Sequence, residues 1–171
     1  MAFSLPSDLA TNWADNVGMI ENAAYLNAVG TLNNANKAAI NTIVNGNATA
    51  AVATSETTAS TSYTDLTTTT DTVTVTIGNS GLALVFLQTL SSNTGGTNYA
   101  GFAISGASTV AASDAYAIIH TGHASGIQTQ TGSTFVVTGL TAGSTTFKMK
   151  YKASAGTATF ANRRISVIPF P

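Results

Sequence analysis

Residues 145–152 read Thr145-Thr146-Phe147-Lys148-Met149-Lys150-Tyr151-Lys152, with a large apolar side chain at every second position and a lysine after each. A period of two is what an extended strand imposes, because successive side chains leave opposite faces of the sheet. One face of this strand is therefore built for a core and the other for solvent. Thr72-Val73-Thr74-Val75-Thr76-Ile77 repeats the pattern with threonine in place of lysine. Further short strands are read at Leu82 to Leu90, Tyr99 to Ile104, Ala115 to His120, Thr134 to Val137, Thr157 to Phe160 and Ile165 to Phe170. Gly- and Ser-rich turns separate them. About eight or nine such strands in one stretch predict an antiparallel β-sandwich.

Leu82-Ala83-Leu84-Val85-Phe86-Leu87 breaks the alternation by being apolar on both sides. A strand with two apolar faces needs a cover beyond the core it lines. Either the chain's own loops roof it, or a neighbouring subunit packs against Leu82, Leu84 and Phe86, which makes these three the expected oligomer interface.

Upstream the chain changes character. Residues 46–62 hold Asn, Ala, Thr, Ser and a single Glu, too little apolar mass for a core, and read as a linker. From Asn22 to Val44 the residues Leu26, Val29, Leu32, Ala35, Ala39, Ile40 and Ile43 recur at spacings of three and four, the mark of an amphipathic helix. Asn33, Asn34 and Asn36 crowd its middle, so the helix is expected to be marginal alone and stabilised by packing on partner chains. Gly46 fits its stop. Ser7-Asp8 can cap a short turn reaching Asn12-Trp13, with Gly18 separating that turn from the helix. The division expected is an arm and helix over 1–45, a linker over 46–62 and a sandwich over 63–171.

Composition narrows the functional classes. Six Lys and Arg stand against seven Asp and Glu, 8% of residues where about 25% is typical, while thirty Thr and twenty-eight Ala fill the space. So weakly charged an exterior suits permanent contact with other protein. Lys148, Lys150, Lys152, Arg163 and Arg164 are a basic concentration, and the lysines alternate with apolar residues along one solvent face, so no nucleic acid is expected as a partner. Without cysteine, disulfides, zinc–thiolate sites and thiol catalysis are excluded. No run approaches the roughly 18 apolar residues of a membrane span, and no basic n-region precedes an apolar run, so no membrane is expected and the chain is read as made in a cytosol.

Chemistry finds little purchase. His120-Thr121-Gly122-His123 places two imidazoles three apart, but a zinc site wants a third ligand and a base, and Asp114 is the only acid nearby in sequence. Asp65, Asp71 and Asp114 sit at strand edges or turns, where capping accounts for them. No Gly-x-Ser-x-Gly elbow and no phosphate-binding glycine loop occurs. The expectation is no enzyme, no cofactor and no metal. Asn93-Thr94-Gly95-Gly96-Thr97-Asn98-Tyr99 can be read as a sugar-binding loop or as a long hairpin connection.

Several pieces, taken in order, resemble a family. They are Thr61-Ser62-Tyr63-Thr64-Asp65-Leu66, Ile104-Ser105-Gly106-Ala107, Ala111-Ala112-Ser113-Asp114, Thr138-Gly139-Leu140-Thr141-Ala142-Gly143 and the stretch from Gly156 through Arg163-Arg164-Ile165-Ser166-Val167-Ile168-Pro169. Residues 63–171 thus resemble the C-terminal β-sandwich of virion proteins from phages infecting actinobacteria, both minor tail and head decoration proteins. The resemblance implies a jelly-roll-like sandwich, similar to trimeric tumour-necrosis-factor or complement-type heads, that attaches to a particle and does no chemistry. Asn12-Trp13-Ala14-Asp15-Asn16 and Ala23-Ala24-Tyr25-Leu26-Asn27 resemble the anchoring ends of such proteins. The expectation is a homotrimeric minor capsid or decoration protein of the virion, stabilising the shell through the major capsid protein or other virion proteins. Phe3, Leu5, Trp13, Met19, Ile20 and Tyr25 are the expected anchor. The alternative is a minor tail or head-fibre protein whose sandwich binds host-surface glycans. Only a helix and a short linker precede the sandwich, where long minor tail proteins carry a fibre, and this favours the capsid.

Overall fold

The computed structural model of the protein describes residues 23–121 and 127–171. The chain divides into two compact units, Met1–Gly46 and Asn47–Pro171, and each is taken by itself. In the first, α1 runs over Ala23–Asn45, within a residue of the helix expected from the spacing. Thr31 and Thr42 return their hydroxyls to the carbonyls of Asn27 and Ala38, which satisfies two polar groups in a helix short of charge. Gly46 N–H donates to the Thr42 carbonyl at 2.9 Å and closes the last turn.

The second unit is the predicted sandwich, with strands β1 (Ala48–Val52), β2 (Glu56–Thr58), β3 (Thr72–Ile77), β4 (Ala83–Asn93), β5 (Asn98–Gly106), β6 (Ala117–His120), β7 (Thr129–Val137), β8 (Gly143–Ala153) and β9 (Ala158–Pro169). One sheet has the order β1-β9-β4-β7 with β2 also on β9, the other the order β3-β8-β5-β6, and every pairing is antiparallel. From β2 onward each connection except β5–β6 crosses from one sheet to the other. That alternation makes the sandwich a jelly roll of two interlocked Greek keys.

The core is what the alternating residues foretell. Phe147, Met149 and Tyr151 face inward from β8, Val73, Val75 and Ile77 from β3, and Val85 and Leu87 from β4. Phe102 of β5 centres an aromatic cluster, with ring centroids 5.5 Å from Tyr116 and 6.0 Å from both Phe135 and Phe147. Such contacts add to the area they bury. Gly81, at φ +64°, turns the chain into β4 where a Cβ would lie 2.7 Å from the Leu140 carbonyl oxygen.

Two expectations are corrected. Residues 46–62 do not form a linker: β1 pairs with β9 from Ala48↔Val167 to Val52↔Arg163, and β2 pairs with it from Glu56↔Phe160 to Thr58↔Ala158. An edge strand needs only a ladder of backbone hydrogen bonds and a few small inward side chains, which Ala48, Ala50 and Val52 supply, so low apolar mass is no bar to it. The stretches Thr157–Phe160 and Ile165–Phe170 are one strand, not two. Asn162 interrupts it at φ 47° without ending it, and the β4–β9 register slips between Gln88 and Leu90. This is a bulge, at a residue type that tolerates the left-handed region.

Candidate functional site

The outer face of the five-stranded sheet is set by the same period-two rule that fills the core. Ala83, Val85 and Leu87 point inward, so Leu84 and Phe86 point out, and cross-strand register decides their company. Leu84 stands between Val136 of β7 and Ile168 of β9, Phe86 between Thr134 and Ser166, and Gln88 between Gly132 and Arg164. The face is therefore graded, with hydrocarbon at one end, hydroxyls in the middle and a guanidinium at the other. Thr49 of β1 extends the hydroxyl row, donating to Ser166 Oγ at 2.8 Å. Val136 is 63% exposed and Phe86 37%, although the other side of their sheet lines the core. A hollow of about 210 Å³ beside Phe86 is lined by Gln88, Gly132, Thr134, Arg164 and Ser166.

Of the expected interface, Phe86 is exposed, Leu84 half-buried in its row, and Leu82 half-buried just ahead of β4. Of the expected anchor, Tyr25 lies in the first turn of α1 with 63% of its surface exposed. Phe3, Leu5, Trp13, Met19 and Ile20 lie outside the described residues.

The other sheet presents the lysines outward, but they are not free cations. Asp65 takes Lys148 at 3.0 Å and Lys150 at 2.8 Å, and Asp114 takes Lys152 at 2.7 Å while accepting a hydrogen bond from the Tyr63 hydroxyl at 3.0 Å. Lys152 Nζ also lies 4.8 Å from the Tyr63 ring centroid and 4.3 Å from that of Tyr99. Burial would raise Asp65, yet Lys150 and Lys148 outweigh it and hold its pKa low, and Lys152 lowers Asp114. Burial and the Asp114 carboxylate together push the Tyr63 phenol up. A cleft of about 550 Å³ opens beside Tyr63, between Ala103, Ala111 and Lys150.

Asp114, His120 and His123 do not form a described site. His120 shares hydrogen bonds with Ser91 Oγ at 2.7 Å and Thr131 Oγ1 at 2.6 Å, tying β6 to β4 and β7, while Asp114 is engaged as above. His123 lies outside the described residues. Among the described residues no three His, Cys, Asp or Glu side chains stand together as metal ligands. The loop after Asn93 links the two sheets and is not a hairpin, because β4 and β5 lie in different sheets. Asn93 braces the loop from within, its Oδ1 accepting from the backbone N–H of Gly95 and Gly96 and its Nδ2 donating to Asn98 Oδ1 at 2.7 Å, while Thr94 and Thr97 bond to the turn at 154–157.

Sequence reasoning missed a charged cluster in the interior. Arg163 is fully buried, its Nη1 2.8 Å from Glu56 Oε2 and its Nε 3.6 Å from Asp71 Oδ2, without a hydrogen bond at Nε. Thr68 closes on Glu56 with its N–H and its hydroxyl, the latter at 2.6 Å, and the Tyr151 hydroxyl donates to Asp71 at 2.5 Å. Burial would raise Glu56, but Thr68 and Arg163 prevail and keep its pKa below the ordinary value. At Asp71 burial prevails over Tyr151 and Arg163, and the carboxyl is raised. The bulge is the cause. In β9 the inward residues are Ala158 and Phe160 before Asn162 and Arg163, Ile165 and Val167 after it, so one extra residue turns Arg163 inward and leaves Arg164 outside.

No family model and no curated protein matches this sequence. Solved structures similar to the chain include infectious bursal disease virus, Gt strain, at TM-score 0.46 and 11% identity, covering 72% of this chain and 33% of that one. Eiger TNF from S. frugiperda is similar at TM-score 0.45 and 12% identity, covering 73% of this chain and 92% of that one. The enzymatically active domain of bacteriophage CBA120 tailspike protein 4 is similar at TM-score 0.32 and 14% identity, covering 70% and 19%. The chain thus spans about a third of the bursal disease virus chain.

Proposed function

We propose that the protein is a structural component of a bacteriophage particle, a minor capsid or decoration protein that binds and reinforces the shell and carries out no catalysis. The observation that carries this reading is the outer face of the five-stranded sheet, where Leu84, Phe86, Val136 and Ile168 form an apolar end on a domain otherwise short of charge. Copies of the sandwich associate through that face, as a trimer, and the N-terminal segment with Phe3, Leu5, Trp13, Met19, Ile20 and Tyr25 docks on the major capsid protein. The motifs of residues 61–66, 138–143 and 156–169 support the phage assignment by their resemblance to virion proteins. Reinforcement follows physically: packaged genome pushes capsomers apart, and protein bridging them adds buried area that separation must expose again.

A reconstruction of the particle tests the proposal. Density for this chain repeated over the icosahedral shell, with residues 1–45 against capsid protein and hundreds of copies per particle (on the order of the capsomer contacts they bridge), is the expected result. Density confined to the tail or to a few spikes overturns the capsid role. A second reading, a tail or head-fibre protein binding host-surface glycans, is favoured by the Tyr63 and Tyr99 rings flanking Lys152 beside the 550 Å³ cleft. Saturable glycan binding lost on Tyr63→Ala would support it.

A further inference from the structure

The helix carries a feature that the sandwich face does not explain. Counting about 100° per residue, Leu26, Val29, Leu32, Ile40 and Ile43 fall in a sector about 120° wide, with Asn36 near its middle. Val29, Leu32, Ile40 and Ile43 are all exposed in the single chain, Leu32 to 62%. Their spacing is that of supercoiled helices. Val29, Leu32, Asn36, Ala39 and Ile43 follow steps of three, four, three and four, and Leu26, Val29, Asn33, Asn36, Ile40 and Ile43 make a second seam beside the first.

We infer that α1 is a self-association element: helices from separate copies of this chain pack parallel and in register along this stripe, as a three-stranded coiled coil. Three observations select a second copy over an unrelated partner. Asn36 sits in an apolar seam, where its amide needs both a donor and an acceptor, and the same residue in an in-register neighbour offers both. Lys37 is the only charged side chain from Ala23 to Asn45, so like helices do not repel and an oppositely charged partner has almost nothing to recognise. The two seams share Val29, Asn36 and Ile43, giving each helix two adjacent flanks, which suits a ring in which every member touches two others. A pair would use the narrower single seam.

The inference is independent of the phage reading and of the sandwich face. The chain lacks cysteine, so single-cysteine variants of the full-length protein report contacts without background. Val29→Cys, Asn36→Cys and Ile43→Cys are each expected to give a covalent dimer on mild oxidation, because in-register helices bring like positions within disulfide reach. Ala38→Cys, on the opposite side of the helix, is the control. Cross-linking at all three seam positions, several-fold above Ala38→Cys, is the expected result. Cross-linking at none of them, or at Asn36→Cys alone as an antiparallel pair would give, overturns the proposal. Combining Val29→Cys with Phe86→Lys and Val136→Lys separates the two associations. Persistent cross-linking assigns the contact to the helix; its disappearance overturns the helix as an association element in its own right.

Discussion

Arg163 and Glu56 meet at 2.8 Å inside the sandwich, joining the last strand to an edge strand 107 positions earlier. The pair fixes the first strands of the domain on β9 at the point where the bulge has turned the guanidinium inward. Removing one partner strands the other charges in the interior, so Arg163→Met is expected to destabilise the domain by about 3–5 kcal/mol. Replacing Arg163, Glu56 and Asp71 together by apolar residues of similar volume is expected to restore most of that loss. Urea denaturation of the single and triple variants checks both; an Arg163→Met midpoint equal to that of the parent would show that the cluster contributes nothing.

Acidification acts on the domain's paired carboxyls with two signs. Glu56, Asp65 and Asp114 are held below the ordinary carboxylate range by their Thr68, Arg163 and lysine partners, so their contribution is present above that range and lost as pH falls through the folded values. Asp71 is raised, so the folded state takes up its proton before the unfolded state does, and stability rises as pH falls through that folded value. The parent is expected to hold its stability on acidification until the three lowered carboxyls titrate. Asp71→Asn should begin to lose stability at higher pH, measured as unfolding midpoints from pH 7 to pH 2.

The apolar end of the outer sheet face, with the helix stripe disrupted as well, predicts a variant that folds but does not assemble. Phe86→Lys with Val136→Lys leaves the core untouched, since both side chains point away from it, and added to Asn36→Lys is expected to lower the mass seen by light scattering below that of Asn36→Lys alone, with an unchanged far-UV spectrum. An unchanged mass, with the helix stripe also disrupted by Asn36→Lys, would exclude this face from assembly.

Phe147 lies fully buried against Phe102, and Phe147→Ala is expected to cost about 3–5 kcal/mol, read from thermal or urea unfolding. Lys148→Ala, one residue away on the solvent side, removes an exposed ion pair and is expected to shift stability by less than about 1 kcal/mol.

The jelly roll was legible wherever one side of a strand is apolar and the other polar: β3 and β8 fall where Val73–Ile77 and Phe147–Tyr151 alternate. Edge strands left a weaker trace. Ala48–Val52 and Glu56–Thr58 draw their order from hydrogen bonds to β9, and no apolar period announces a backbone ladder. Glu56, Asp71 and Arg163 escaped for a related reason, since each alone looks like a solvated charge and only a strand paired across 107 positions unites them. Leu84 and Phe86 were readable as outward apolar residues, but Val136 and Ile168 join them through register alone.

Asn162 gives β9 two halves in opposite phase. The arithmetic of insertion and deletion is therefore unusual here. Losing that single residue would restore an unbroken alternation, with Arg163, Ile165 and Val167 still inward and Arg164 still outward, whereas straightening the strand at full length would send Arg164 into the interior and Ile165 to the surface. One left-handed residue thus governs the polarity of everything that follows it, and the last strand tolerates the loss of that residue better than its replacement by one that cannot hold the left-handed conformation.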